Sequence, residues 1–148
     1  MVGPALLFRA QILGGAGRWR EAKELLVELL RAHDLADCWL HQLPLVLAEL
    51  GGGREYLAAL GDEQPTTPWL DAGCAAATGD FGRAAEVYQV IGARAAEAQS
   101  RLLAAEALIA SGRRAEAGAE LARALDCFRS VGATAYTSRG ERLLTASA

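Results

Sequence analysis

The chain has 148 residues, 52% of them hydrophobic and only 6% aromatic, with a net charge of −3. That length and apolar content exclude a disordered tail and let a single domain, residues 1–148, bury a core without disulfides or metal. Acid and base are interspersed with no basic stripe, which excludes the usual electrostatic footprint of a nucleic-acid binder.

Helical signals run from end to end. Pro4 suits a first helical turn, the apolar run Ala5 to Leu13 follows, and Gly14-Gly15-Ala16-Gly17 breaks the pattern. From Arg18 to Ala32 the period is clear, with Trp19, Ala22, Leu26, Leu29 and Leu30 on one face. Asp34 is a candidate cap for a helix from Leu35 to Leu50, in which Pro44 marks a kink or a new start. Gly51-Gly52-Gly53 stops that helix, and Arg54 to Leu60 is a short helix at best.

Gly61 to Thr67 reads as a loop, and Thr67-Pro68 as an N-cap with proline in the first turn of a helix reaching Thr78. After a turn at Gly79-Asp80, the residues Phe81, Ala84, Tyr88 and Ile91 form a stripe that Gly92 closes. A helix over 93–111 ends at Gly112. The next carries Ala117, Leu121, Ala124, Leu125, Phe128 and Val131, with Gly132 behind it. A last helix carries Tyr136, Leu143 and Leu144. The expected fold is all-α, with about four helix pairs plus a C-terminal helix and no strand.

Four turns share a form. They are Gly17-Arg18-Trp19-Arg20-Glu21-Ala22, Gly53-Arg54-Glu55-Tyr56-Leu57-Ala58, Gly79-Asp80-Phe81-Gly82-Arg83-Ala84 and Gly112-Arg113-Arg114-Ala115-Glu116-Ala117. Each puts alanine five positions after glycine, and successive glycines lie 36, 26 and 33 residues apart. The glycine lets one helix end in a left-handed conformation. The alanine lets the next helix approach closely, and Trp19 or Phe81 fills the wedge. The second copy is the poorest, since Asp62 stands where a large apolar residue is expected.

These turns resemble tetratricopeptide repeats, whose period is about 34 residues and whose hallmark is Gly-Asp-aromatic-x-x-Ala. The likeness is closest at 79–84, good at 17–22 and degenerate at 53–58 and 112–117. It implies antiparallel helix hairpins stacked as a right-handed α-solenoid. Ser111 to Ala117, Leu121 to Tyr136 and the ending Glu141 to Ala148 are similar to the C-terminal helical tails of actinobacterial signalling proteins. Those carry an ATPase domain, often behind an adenylate or guanylate cyclase domain. LuxR-type ATP-binding regulators carry similar repeats. The resemblance implies the tail, or a separately encoded piece, of such a protein. The catalytic motifs of those proteins do not occur here: Lys23, the only lysine, lies inside a helix and not in a Gly-x-x-x-x-Gly-Lys loop.

A few other side chains offer candidate chemistry. Cys38 and His41, with His33 upstream, have a spacing that two metal ligands can use, but a fourth ligand and a paired turn are missing, so helix packing is expected. The same neighbourhood offers the one thiol near an imidazole, and it too reads as packing. Glu116 and Glu120 sit one turn apart on what reads as a solvated face. Arg113, Arg114, Arg123, Arg129, Arg139 and Arg142 read the same way, offset by Glu116, Glu120, Asp126 and Glu141. Trp39 and Trp69 are expected to pack between helices rather than anchor a partner.

Cys38, Cys74 and Cys127 are odd in number and far apart, which points to free thiols in a reducing cytoplasm. No apolar run of about 18 residues predicts a membrane span. Nor does the start Met1-Val2-Gly3-Pro4 read as a signal peptide. The expectation is a cytoplasmic module that binds protein, without catalytic residues, cofactor, metal, nucleic acid or membrane. The alternatives are the regulatory helical domain of a LuxR-type regulator and a small all-α enzyme.

Overall fold

A computed structural model describes residues 3–32, 42–62 and 67–147. Among the described residues every regular element is an α-helix. They are α1 (Gly3–Gly15), α2 (Trp19–Ala32), α3 (Leu43–Glu49), α4 (Gly53–Leu60), α5 (Pro68–Ala77), α6 (Phe81–Ile91), α7 (Arg94–Ala110), α8 (Arg114–Ser130) and α9 (Thr134–Ser147). None is long and apolar enough to cross a membrane. Asp34, His33, Cys38, Trp39 and His41, with the first half of the helix expected over 35–50, lie outside the described residues, as do residues 63–66 of the expected loop.

Five helix ends follow one rule. α1 continues through Gly14 and Gly15, past the expected break, and stops at Gly17, whose φ of +77° is left-handed. There the Gly17 N–H donates to the Gly14 carbonyl and the Arg18 N–H to that of Leu13, at 3.0 and 2.8 Å. The same pair of bonds, spaced identically, closes the helices at Gly51, Gly92, Gly112 and Gly132. This closure satisfies carbonyls that a helix end otherwise leaves open, and the positive φ it needs is cheap only for glycine. Helix starts vary more. Thr67 accepts from the Leu70 N–H with Pro68 in the first turn, and Pro44 stands in the first turn of α3, where it starts a helix.

The chain gathers into two compact units, Met1–Gly79 and Asp80–Ala148. In the first, Ala10 and Leu13 of α1 meet Ala22, Leu26, Leu29 and Leu30 of α2, and Leu43, Val46 and Leu47 of α3 join Tyr56 of α4. Trp19 departs from the expected stripe: it is 55% exposed, because it is the first residue of α2 and its ring lies over Gly14 of α1. The Nζ of Lys23 donates to the Gly51 carbonyl at 3.0 Å and pairs with Glu55 at 2.7 Å, tying α2 to the left-handed turn and to α4.

In the second unit α7 packs against α6, α8 and α9. Ala98, Leu102 and Ala105 of α7 interleave with Ala117, Leu121, Ala124 and Phe128 of α8. Arg94 at the start of α7 meets Cys127 near the end of α8, and Arg101 meets Glu120 further in, so the two helices run in opposite directions. Val131 leaves the expected stripe and is 69% exposed, since it lies past the last turn of α8 as its C-cap. Leu144 is exposed as well, whereas Leu143 packs on the core.

Candidate functional site

Three of the four predicted turns have the expected local form. Gly17, Gly79 and Gly112 are left-handed, and Ala22, Ala84 and Ala117, five residues on, are buried. The copy at 53–58 does not. Gly51, not Gly53, is its left-handed residue, and Ala58 is exposed. Gly53 instead belongs to α4, where it presses against α5 so closely that a Cβ would land on the Ala77 carbonyl. Phe81 is half-buried, so it and Trp19 are partial wedges.

Two devices stiffen these turns. At 79–84 the Asp80 carboxylate caps α6 by accepting from the Arg83 N–H at 3.1 Å. At 17–22 and 112–117 the residue after glycine is an arginine, and it grips a glutamate three positions on with two bonds. These are Arg18 to Glu21 at 2.7 and 2.5 Å and Arg113 to Glu116 at 2.7 and 2.6 Å. The hydrogen bond from each arginine pulls its partner carboxyl below the ordinary range. Gly-Arg-x-x-Glu-Ala is thus a finer motif than glycine-to-alanine spacing, and both copies stand openly in the sequence. Gly92 and Gly132 read in the sequence as helix ends only, and not as copies of the turn, because no alanine follows five residues on.

The most demanding side chain is Arg101 of α7, whose side chain is only 4% exposed. Removing a guanidinium from water is costly unless its donors are met. Here Nε donates to Glu97 at 2.9 Å, one Nη to Glu120 of α8 at 2.9 Å and the other to Gln89 of α6 at 3.1 Å. Burial pulls its pKa down, but the bonds to Glu120 and Glu97 and their charges outweigh this and leave it raised. One cation therefore joins three helices. Glu120, expected on a solvated face, is one of its partners. Several arginines expected to be merely solvated also bridge helices: Arg139 clamps Glu106 at 2.7 and 2.8 Å, Arg129 pairs with Glu141 at 2.9 Å and Arg114 donates to the Ala146 carbonyl.

Beside this cluster lie two clefts that share Arg94 and Cys127. One, of about 200 Å³, is walled by charged groups: Arg94, Glu97, Arg101, Arg123 and Asp126. The other, of about 320 Å³, is apolar and lies where the start of α7, the end of α8 and the start of α9 meet. Phe128 and Tyr136 form its wall, their rings stacked with centroids 4.9 Å apart. The Cys127 thiol is half-buried and donates to the Arg94 carbonyl at 3.7 Å. Cys74 is half-buried too, and burial, aided by Asp71, pushes its thiol up. Trp69 is half-buried. Tyr88 is fully buried on α6, and burial pushes its phenol up to about 12, so it stays protonated. Among the described residues no three His, Cys, Asp or Glu side chains gather as metal ligands. No protein-family model, curated protein or solved structure matches the chain.

Proposed function

We propose that the chain is a non-catalytic protein-binding module, a tetratricopeptide-like α-solenoid serving as tail or fragment of a larger signalling ATPase or cyclase. The observation that carries this reading is the recurrent turn, with a left-handed glycine followed five residues later by a buried alanine, at 17–22, 79–84 and 112–117. A hairpin of this kind covers its apolar face only by stacking on neighbours, and a stack offers side chains along a surface instead of converging them in a pocket. The charges support the same reading: Arg101 and Arg139 spend their donors on joining helices.

The test is cross-linking and recovery from source cells with the intact tagged chain. The expected result is a defined polypeptide, recovered in stoichiometric amount and competed away by the untagged chain. Recovery of no defined partner, or substrate turnover by the purified chain that exceeds that of a heat-treated control, would sink the reading.

A further inference from the structure

The helix α1 is apolar on both sides. Leu6, Leu7, Ala10 and Leu13 pack into the core of the first unit. Opposite them stand Ala5, Phe8 and Ile12, all exposed, with Phe8 at 67% and Ile12 at 61%. Arg9 and Gln11 are the only polar side chains of the helix. Its neighbour α2 is dressed differently and turns Arg20, Glu21, Glu24, Glu28 and Arg31 to water. A helix that is apolar all round is ordinarily covered all round.

The pattern says what kind of cover fits. Ala5, Phe8 and Ile12 are spaced three and then four residues apart, the seam by which one helix interlocks with another. Arg9 and Gln11 flank that seam, in the places where charge selects the partner helix. Among the described residues Arg9 forms no ion pair, and Glu21, which feels its charge, is gripped by Arg18. A carboxylate on the covering helix answers that open cation. A second copy of α1 packed antiparallel would instead set arginine beside arginine. The seam is also short. Its 13 residues make a face about 20 Å long and about 10 Å wide, far below the roughly 800 Å² per partner of a stable free complex. Such a face is covered durably by a helix that a tether already holds beside it.

We propose that the outer face of α1 docks a tethered amphipathic helix of the larger polypeptide. That helix carries apolar residues in the same three–four spacing and a carboxylate on the flank that meets Arg9. The proposal rests on the reading of the chain as part of a larger protein, and it names the surface that joins the two.

The test fuses a designed helix of about four turns to the intact chain through a Gly/Ser linker at the N-terminus. Leucines fill its seam and glutamates its flanks. Native-state exchange of the α1 and α2 amides should slow about tenfold. With lysine flanks the gain should shrink about threefold, the size of one exposed ion pair. Arg9→Glu should invert the order of the two fusions. Phe8→Gln with Ile12→Gln should cancel the gain in both. These two side chains are exposed and glutamine is the better helix former, so the unfused fold is retained. No slowing in the glutamate-flanked fusion overturns the proposal, as does an order that Arg9→Glu leaves unchanged. So does self-association in sedimentation that Phe8→Gln with Ile12→Gln abolishes, since the cover would then be a second copy. Phe8→p-benzoylphenylalanine, a photo-crosslinker, reads the natural cover in source cells. A cross-link within one larger polypeptide supports the proposal, and one to a separate polypeptide overturns it. If no cross-link forms while a defined partner is still recovered from the same cells, this surface is refuted and the interaction-module reading stands.

Discussion

The two units use the same turn chemistry to different ends. In Asp80–Ala148, left-handed glycines at 92, 112 and 132 fall twenty residues apart, and α7 and α8 are both seventeen residues long. Regular spacing lets side chains do the joining: Leu121 fills, Arg101 bridges and Arg139 clamps. In Met1–Gly79 the helices from α3 to α5 have only seven, eight and ten residues. Such short helices have little side-chain surface to share, so they approach through glycine. A Cβ on Gly53 would strike the Ala77 carbonyl, and one on Gly73 would sit 2.8 Å from the Tyr56 hydroxyl and 2.9 Å from Pro44. Where helices are long, contact is made by what side chains add; where they are short, by what glycine omits.

The sharpest way to break this contrast is Gly53→Ala. The obstacle is backbone, which cannot rotate aside, so the first unit should lose at least about 3 kcal/mol, above the common range for overpacking. Native-state hydrogen exchange reads the units separately. Amides of α4 and α5 should lose protection while those of α7 and α8 keep theirs. Equal loss in both units would mean that they unfold as one.

Next in size is Arg101→Ala. It leaves Glu97 and Glu120 without their shared cation, but these carboxylates are 21% and 25% exposed and partly regain water. The cost should therefore be about 2 kcal/mol, less than the 3–5 of a fully buried pair. Urea unfolding checks it, with Arg101→Lys expected to rescue only part. A cost near zero would show that the triad does not hold the three helices.

How far these features were legible depends on distance along the chain. Helix stripes such as Ala117, Leu121, Ala124 and Phe128 come from local period, and the turns at Gly17 and Gly112 from six contiguous residues. Both survive translation into three dimensions because the physics is local. Arg101 was readable in part: Glu97 stands four residues before it, the spacing of a helical ion pair, yet its burial depends on Gln89 and Glu120 from other helices. Gly53 looked like a turn glycine because its neighbour Ala77 is remote in sequence. The apolar cleft was hidden for the same reason. It draws on three helices, and neither Phe128 nor Tyr136 shows from its neighbours that the other will stack on it.

A smaller effect is expected where the second unit does use a packed glycine. A Cβ on Gly140 of α9 would come within 2.7 Å of Leu125 Cδ2, the movable end of a side chain. Gly140→Ala should cost about 1 kcal/mol, partly offset by the better helix propensity of alanine. Gly140→Ala with Leu125→Val should recover some of that loss in thermal unfolding. If Gly140→Ala proved as damaging as Gly53→Ala, the distinction between yielding and unyielding neighbours would be wrong.

The finest test concerns charge. Glu55 is held below the ordinary carboxyl range, chiefly by the hydrogen bond from Lys23, and Glu116 in the other unit by the one from Arg113. A carboxyl whose pKa is lowered on folding contributes stability in full above its unfolded value, and loses it as pH falls through its folded one. Lys23→Met should thus raise the Glu55 titration seen by carbon-detected NMR and leave that of Glu116 where it was. It should also flatten the acid limb of stability for the first unit alone. Because Lys23 and Glu55 are both about a third exposed, salt should shrink the Glu55 shift in the wild type. A Glu55 titration that ignores Lys23→Met would show that the backbone hydrogen bond at Glu55 sets it. Lys23 would then act on the Gly51 turn through its bond to the carbonyl alone.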